Sequence, residues 1–207
     1  VLNTRLQQGI SLVETMVVVV IMAIVMAVGA PNFSTWLAGS RIRATAESLL
    51  AGLQYAKSEA ASRNTRVRFQ LTTSLGADCA RSSTGGSWVV DVVDANADDD
   101  SVEGKCNTPP SDAAAPSILQ LRAATEAGGN VRVNGGAEEV IFNGLGRQVP
   151  TAGAATAATV SIDITPPNNA QCATAGGKVT CLRIVVSPAG QVRMCNPHIA
   201  SGDPQAC

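Results

Sequence analysis

Two hydrophobic periods divide this chain. From Ile10 to Ala30 every residue except Ser11, Glu14 and Thr15 is apolar or glycine, and Glu14 is the only charge. At 1.5 Å per residue that run would reach about 31 Å as a helix, the thickness of one bilayer core. From Asn32 to Ser62 the pattern turns amphipathic. Ile42, Ala46, Leu49, Leu50, Leu53, Ala56 and Ala60 recur at steps of three and four, while Arg41, Arg43, Glu47, Gln54, Lys57 and Glu59 mostly take the other faces. One helix from Ile10 to about Ser62 is predicted, with Asn64 as its stop and Pro31 kinking it or loosening one turn. Past Asn64 the period drops to two. In TRVRFQLT (65–72), Val67, Phe69 and Leu71 alternate with Arg66, Arg68 and Gln70, as in a strand with one wet face.

Further strands are predicted in SWVVDVVD (87–94), SILQLRA (117–123), NVRVN (130–134), EEVIF (138–142), ATVSIDI (158–164), CLRIVVS (181–187) and GQVRMC (190–195). SPAG (187–190) reads as the hairpin turn joining the last two. A run of strands after one helix implies an α+β fold with a mainly antiparallel sheet. Its inner Val, Ile and Leu residues must cover the stripe of the 32–62 helix. GADCARSSTGGS (76–87) and TAGAATAA (151–158) read as loose. In DANADDDSVEGK (94–105), Asp94, Asn96, Asp98 and Asp100 alternate like the first ligands of a calcium loop. Asp99 stands where such a loop needs Gly, however, and Lys105 where it needs Glu, so the segment reads as an acidic solvated loop and no metal is assigned.

Composition narrows the class. Apolar residues make up 45% of the chain and aromatics 3%, so any core is built from small side chains. A net charge of -1 gives no global attraction to nucleic acid or anionic lipid. The cysteines are Cys79, Cys106, Cys172, Cys181, Cys195 and Cys207, with no C-x-x-C pair, and His198 is the one histidine. Zinc ligation is disfavoured, and disulfides in an oxidising compartment are expected. Many pairings are open, and short separations favour Cys79–Cys106, Cys172–Cys181 and Cys195–Cys207. Arg5 before the apolar run places that end in the cytoplasm and the rest beyond the membrane. A signal peptide cut near Ala30, a plain signal anchor and a buried core helix are the competing readings. The amphipathic continuation past Pro31 argues against a cut at Ala30, which would also leave Glu14 unexplained, and a plain signal anchor would have Glu14 tolerated near the interface.

Gly9-Ile10-Ser11-Leu12-Val13-Glu14 resembles the type IV prepilin signal, in which a short leader ends in Gly and Glu is the fifth residue past the cut. Ile10 stands where Phe or Met is commoner. Pro31 falls where pilins carry a helix-kinking proline. The resemblance implies cleavage between Gly9 and Ile10 by the prepilin peptidase, then N-methylation of Ile10. Glu14 then gains a partner, the new ammonium on Ile10 of an adjacent subunit. The later stretches, above all Phe142-x-Gly144-x-Gly146 and LRIVVSPAGQVRMC, are similar to the GspH/FimT-type minor pilins and pseudopilins. The implied organisation is a leader (1–9), a transmembrane and assembly half of the helix (10–31), an amphipathic half (32–64) and a β-rich periplasmic or extracellular domain (65–207), in the type IV pilin fold.

On that resemblance the chain is expected to be a structural minor pilin of a type IV pilus, in the tip or initiation complex, with other major and minor pilins as partners. It would sit in the inner membrane before assembly and at the cell surface after it. The alternatives are a minor pseudopilin of a type II secretion system and a DNA-binding minor pilin for DNA uptake. Some relatives bind DNA through a Gly-Arg-x-Arg hairpin motif. Here Gly190-Gln191-Val192-Arg193 lacks the first Arg, and Arg183, Arg193, Arg147 and Lys178 remain as candidates for a basic patch. An enzyme is not expected. His198 would have to serve any triad, and no G-x-S-x-G, metal-ligand pair, phosphate loop or other cofactor motif occurs.

Overall fold

The computed structural model describes residues 11–93, 102–111, 115–126, 128–150, 155–167 and 170–207, and of residues 28–32 the backbone alone. Helix α1 spans Leu12–Arg63. The chain forms two compact units, Val1–Leu37 and Ala38–Cys207. In the first unit the large apolar side chains from Leu12 to Met26 are between 52% and 74% exposed. Among the described residues, no helix is long and apolar enough to cross a membrane. The predicted 10–31 span exceeds what is described, since Ile10 and the side chains of residues 28–32, Pro31 included, lie outside it.

In the second unit α1 buries the predicted stripe. Ile42, Ala46, Leu49, Leu53, Ala56 and Ala60 are fully inaccessible, and Leu50 is half-buried at its edge. The helix ends where Asn64 adopts φ 50°, the left-handed conformation that Asn tolerates. The Thr65 amide then turns back onto the Ala60 carbonyl at 3.2 Å.

Eight strands follow: β1 (Arg66–Thr72), β2 (Ser87–Val93), β3 (Ile118–Arg122), β4 (Arg132–Gly135), β5 (Glu139–Phe142), β6 (Val160–Thr165), β7 (Leu182–Val186) and β8 (Val192–Cys195). They form two four-stranded sheets, ordered β3-β2-β1-β5 and β4-β6-β7-β8, and every named pair is antiparallel. The fold is α+β. Val67, Phe69, Leu71, Trp88, Val90, Val140 and Phe142 of the first sheet share one core with Val133, Val160, Ile162, Ile164, Ile184 and Val186 of the second. The α1 stripe lies in the same core.

Close approach between helix and sheet accounts for a glycine in mid-helix. A Cβ on Gly52 would come within 2.8 Å of the Phe69 ring and 3.1 Å of the Trp88 ring. Those rings pack together at 5.7 Å, and Trp88 Nε1 donates to Ser48 Oγ on α1 at 3.1 Å. Buried indole is thereby satisfied while the helix lies close on the aromatic pair. Gly52 therefore trades helix propensity for contact.

The first sheet departs from the alternation expected of it. Arg68 and Gln70 are not on a wet face: they are 5% and 1% exposed, and Asp91, opposite Arg68 on β2, is fully buried. Arg68 forms a two-bonded fork on Asp91, through Nε at 3.2 Å and the other arm at 2.5 Å, and Gln70 Nε2 donates to the same carboxylate at 3.1 Å. Charge is tolerated there because each group is paired and hydrogen-bonded. What covers this outer face includes the segment expected to be loose. Cys79, Val102 and Cys106 pack with Val89 and Ile118 in a second apolar cluster. Arg81 ties the cover to the sheet, reaching Glu103 at 3.5 Å and Glu139 on β5 at 3.2 Å. A hydrogen-bonded tether, small side chains and a disulfide hold a polar-looking stretch in place where periodicity shows nothing.

The β7–β8 hairpin turns at Ser187–Gly190, closed by Gly190 N–H to the Ser187 carbonyl at 2.8 Å. It seats on the Asn143–Gly146 turn that follows Phe142, and a Cβ on Gly190 would meet the Gly146 carbonyl oxygen at 1.8 Å. Gly190 also has φ 80°. The three disulfides join Cys79 to Cys106, Cys172 to Cys181 and Cys195 to Cys207.

Two expected outcomes follow from these contacts. Asp91→Ala removes the nearest carboxylate from the buried Arg68, which keeps Glu139 at 3.7 Å, and lowers stability by about 3 kcal/mol, read by denaturant unfolding of the full chain in detergent. Gly190→Ala costs more than about 1 kcal/mol in the same assay, through left-handed strain plus the clash with Gly146. Gly176→Ala is the control, since it shares the backbone conformation at φ 85° but has nothing within 4 Å.

Candidate assembly surface and C-terminal face

The first turn of α1 is capped from the sequence itself. Ser11 precedes the helix, and its carbonyl accepts the first helical bond from Thr15 at 3.3 Å. Its Oγ accepts from the Glu14 backbone N–H at 3.2 Å. Ser11 is thus the N-cap and Glu14 the third helical residue, the spacing of a capping box. The Ser-x-x-Glu signature before an apolar run was present in the sequence and would have identified Ser11, which the reading by resemblance passes over. Thr15 Oγ1 adds a bond to the Leu12 carbonyl at 2.8 Å. A carboxylate in the first turn is favoured by the exposed amides and the helix dipole. Glu14 is exposed, and the large apolar side chains beyond it point outward on every side of the helix. Gly9 and Ile10, the expected processing site, lie outside the described residues, as does the Pro31 side chain.

At the other end of the chain, the outer face of the second sheet carries a row in register: Asn134, Asp163, Arg183 and Cys195. Arg183 donates to Asp163 through Nε at 2.6 Å and through a second nitrogen at 3.1 Å. That hydrogen bonding to Asp163 holds the Arg183 guanidinium above the ordinary arginine range, against partial burial and with the carboxylate charge assisting. The pair floors an open groove of about 1010 Å³, bordered by Arg132, Asn134, Thr165 and the Cys172–Cys181 loop.

Of the candidate DNA-contacting residues, Arg183 (opposite Cys195) and Arg193 (opposite Val185) share the outer face of the β7–β8 hairpin, and each has a partner within the chain. Arg183 lines the groove with its carboxylate partner, whereas Arg193 donates to the Ala206 carbonyl at 3.2 Å and the Cys207 oxygen at 3.5 Å. Arg147 and Lys178 are exposed and border no part of that groove. His198 is exposed inside the Cys195–Cys207 loop, with its backbone N–H on Asn196 Oδ1 at 2.9 Å. No cluster of three or more His, Cys, Asp or Glu side chains that could hold a metal occurs among the described residues. The acidic residues 94–101, considered above for calcium, lie outside them.

Comparison with known proteins bears on both ends. The model of the prokaryotic N-terminal methylation motif matches residues 4–30, a range that includes Gly9, Ile10 and Glu14. The family model described as type II transport protein GspH matches residues 45–190, from the buried α1 stripe to the hairpin turn. No curated protein matches. Two crystal forms of the type IV minor pilin FimU of Pseudomonas aeruginosa strain PAO1 are similar at 19% identity. Each covers 80% of this chain, with 94% of the FimU chain covered in one form (TM-score 0.49) and 98% in the other (TM-score 0.47). With the GspH model matching most of its length and the methylation motif at its start, the chain belongs to the GspH family of type IV pilin-like proteins.

Proposed function

We propose that this chain is a structural minor pilin of a type IV pilus, polymerising through the first half of α1 and acting in the tip or initiation complex. The observation that carries the reading is a helix with outward apolar side chains on all sides and one carboxylate, Glu14, in its capped first turn. In this reading residues 10–31 cross the inner membrane, with the C-terminal domain in the periplasm, until the subunit moves to the surface pilus. The prepilin peptidase cuts between Gly9 and Ile10, and Ile10 is N-methylated. Glu14 then pairs with the ammonium on Ile10 of a neighbouring pilin. In an apolar interface that pairing offsets the desolvation of both charges, and a slipped register leaves both unpaired. The partners are other major and minor pilins.

A second reading, a minor pseudopilin of a type II secretion system, is favoured by the description of the matched family as a type II transport protein. Co-purification with the minor pilins of one machine or the other separates the two. DNA uptake is not carried forward, because Gly190-Gln191-Val192-Arg193 lacks the first Arg of the hairpin motif and the guanidinium of Arg183 is engaged by Asp163.

Intact mass of the protein from membranes should show a chain starting at methylated Ile10. A start at Ala30, Pro31 or Asn32 would overturn the assembly reading. Glu14→Val should insert and be cut normally, yet enter filaments at least about tenfold less, since one unpaired buried charge costs a few kcal/mol. Sheared pili probed for the variant provide the measurement, and normal incorporation counts against the pairing.

A further inference from the structure

Aromatic side chains are scarce in this chain: three Phe, two Trp and one Tyr. Phe69, Phe142 and Trp88 are core residues, and Tyr55 is half-buried. Phe33 and Trp36 differ, being 62% and 66% exposed. They stand three residues apart on α1, their rings packed together with centroids 5.9 Å apart. A chain that sends its other large rings inward leaves these two outside as a contiguous patch, both within the first compact unit.

Their place along the helix selects what covers them. Phe33 is 21 residues beyond Leu12, where α1 starts, a distance of about 32 Å along a helix, close to the roughly 30 Å of a bilayer's hydrocarbon. Uncharged residues run from Thr15 to Ser40, but the apolar run itself stops at Pro31, and the sequence then turns polar with Asn32, Ser34 and Thr35. Arg41 and Arg43 are the first bases beyond. A ring that is apolar over most of its surface and carries one N–H donor is best satisfied at the boundary between hydrocarbon and headgroups.

We propose that Phe33 and Trp36 form a membrane-interface anchor, seating in the headgroup layer of a lipid bilayer and setting the depth of α1 before the subunit enters a filament. The proposal rests on the reading of residues 10–31 as a membrane span. The lipid contact needs no specific headgroup, because the recognition is of the interface itself.

The full chain reconstituted in phosphatidylcholine vesicles tests this. Tryptophan emission of the wild type minus that of Trp36→Phe isolates Trp36 without touching the buried Trp88. Vesicles brominated near the headgroup end or near the methyl end of the acyl chain report depth. A blue-shifted Trp36 signal, quenched more by the shallow than by the deep label, is the expected result. Stronger quenching by the deep label overturns the proposal, as does water-like emission with neither label effective. Blue-shifted emission that neither label quenches would mean that protein, such as a second copy of the helix, covers the patch, and overturns it too. Met22→Trp, ten residues past the start of α1, checks the underlying span by the same subtraction. With that reporter quenched by the deep label and Trp36 not at the interface, the span stands and the anchor fails. With that reporter unquenched, the span reading fails and the anchor with it.

Discussion

The stripe of Ile42, Ala46, Leu49, Leu53, Ala56 and Ala60 against two sheets is the contact on which the second unit depends. Half of that stripe is alanine, and Gly52 lies beside it, so the helix can approach the sheets closely enough to touch the Phe69 and Trp88 rings. Dispersion gains fall off within a fraction of an ångström, so small residues on the helix raise packing quality even though each buries little area. The few large rings are then placed where they count, beneath the helix. Remove the close approach and the two sheets lose the element that gives them a common core.

From that core outward the two sheets are treated differently. The first is covered on its far side by residues 76–86 and 102–111, closed by Cys79–Cys106 and tethered by Arg81. The cover turns Arg68, Gln70 and Asp91 into an interior polar layer whose members satisfy one another. Breaking one member costs more than the pair contributes, so the layer enforces a single register between β1 and β2. On the second sheet, Arg183 and Asp163 make a similar fork but stay partly open to water, on the floor of a groove framed by two disulfide-closed loops. Its net contribution to stability is small for that reason.

The first unit follows another logic. Its helix has no inward face among the described residues, and a capped first turn with a lone carboxylate starts it. In water such a surface is costly, so its chemistry is that of a segment completed by something else, lipid or neighbouring helices. The aromatic pair at its far end marks where the surrounding medium changes in the proposed anchor.

Much of this was legible in the residues. The helix stripe, all eight strands and the Ser187–Gly190 turn follow from the 3.6 and 2.0 periods and from Gly and Pro placement, because those signals are local and each element is apolar on the side facing the shared core. The α+β class follows from the order of elements, and the GspH family membership from the Gly9-to-Glu14 spacing with the later motifs. Ser11 as N-cap was readable too, in its spacing to Glu14. Tertiary structure alone decided that β1 is buried on both faces, because a wet face and a face covered by a distant loop share the same alternation of Arg and Gln. It alone engaged Arg183 with Asp163 and Arg193 with the Ala206 carbonyl, partners that sequence separation hides. It alone left Phe33 and Trp36 outside while sending Phe69 and Trp88 in. Exposure is set by what packs on a residue, and the sequence states only what kind of neighbour that residue would favour.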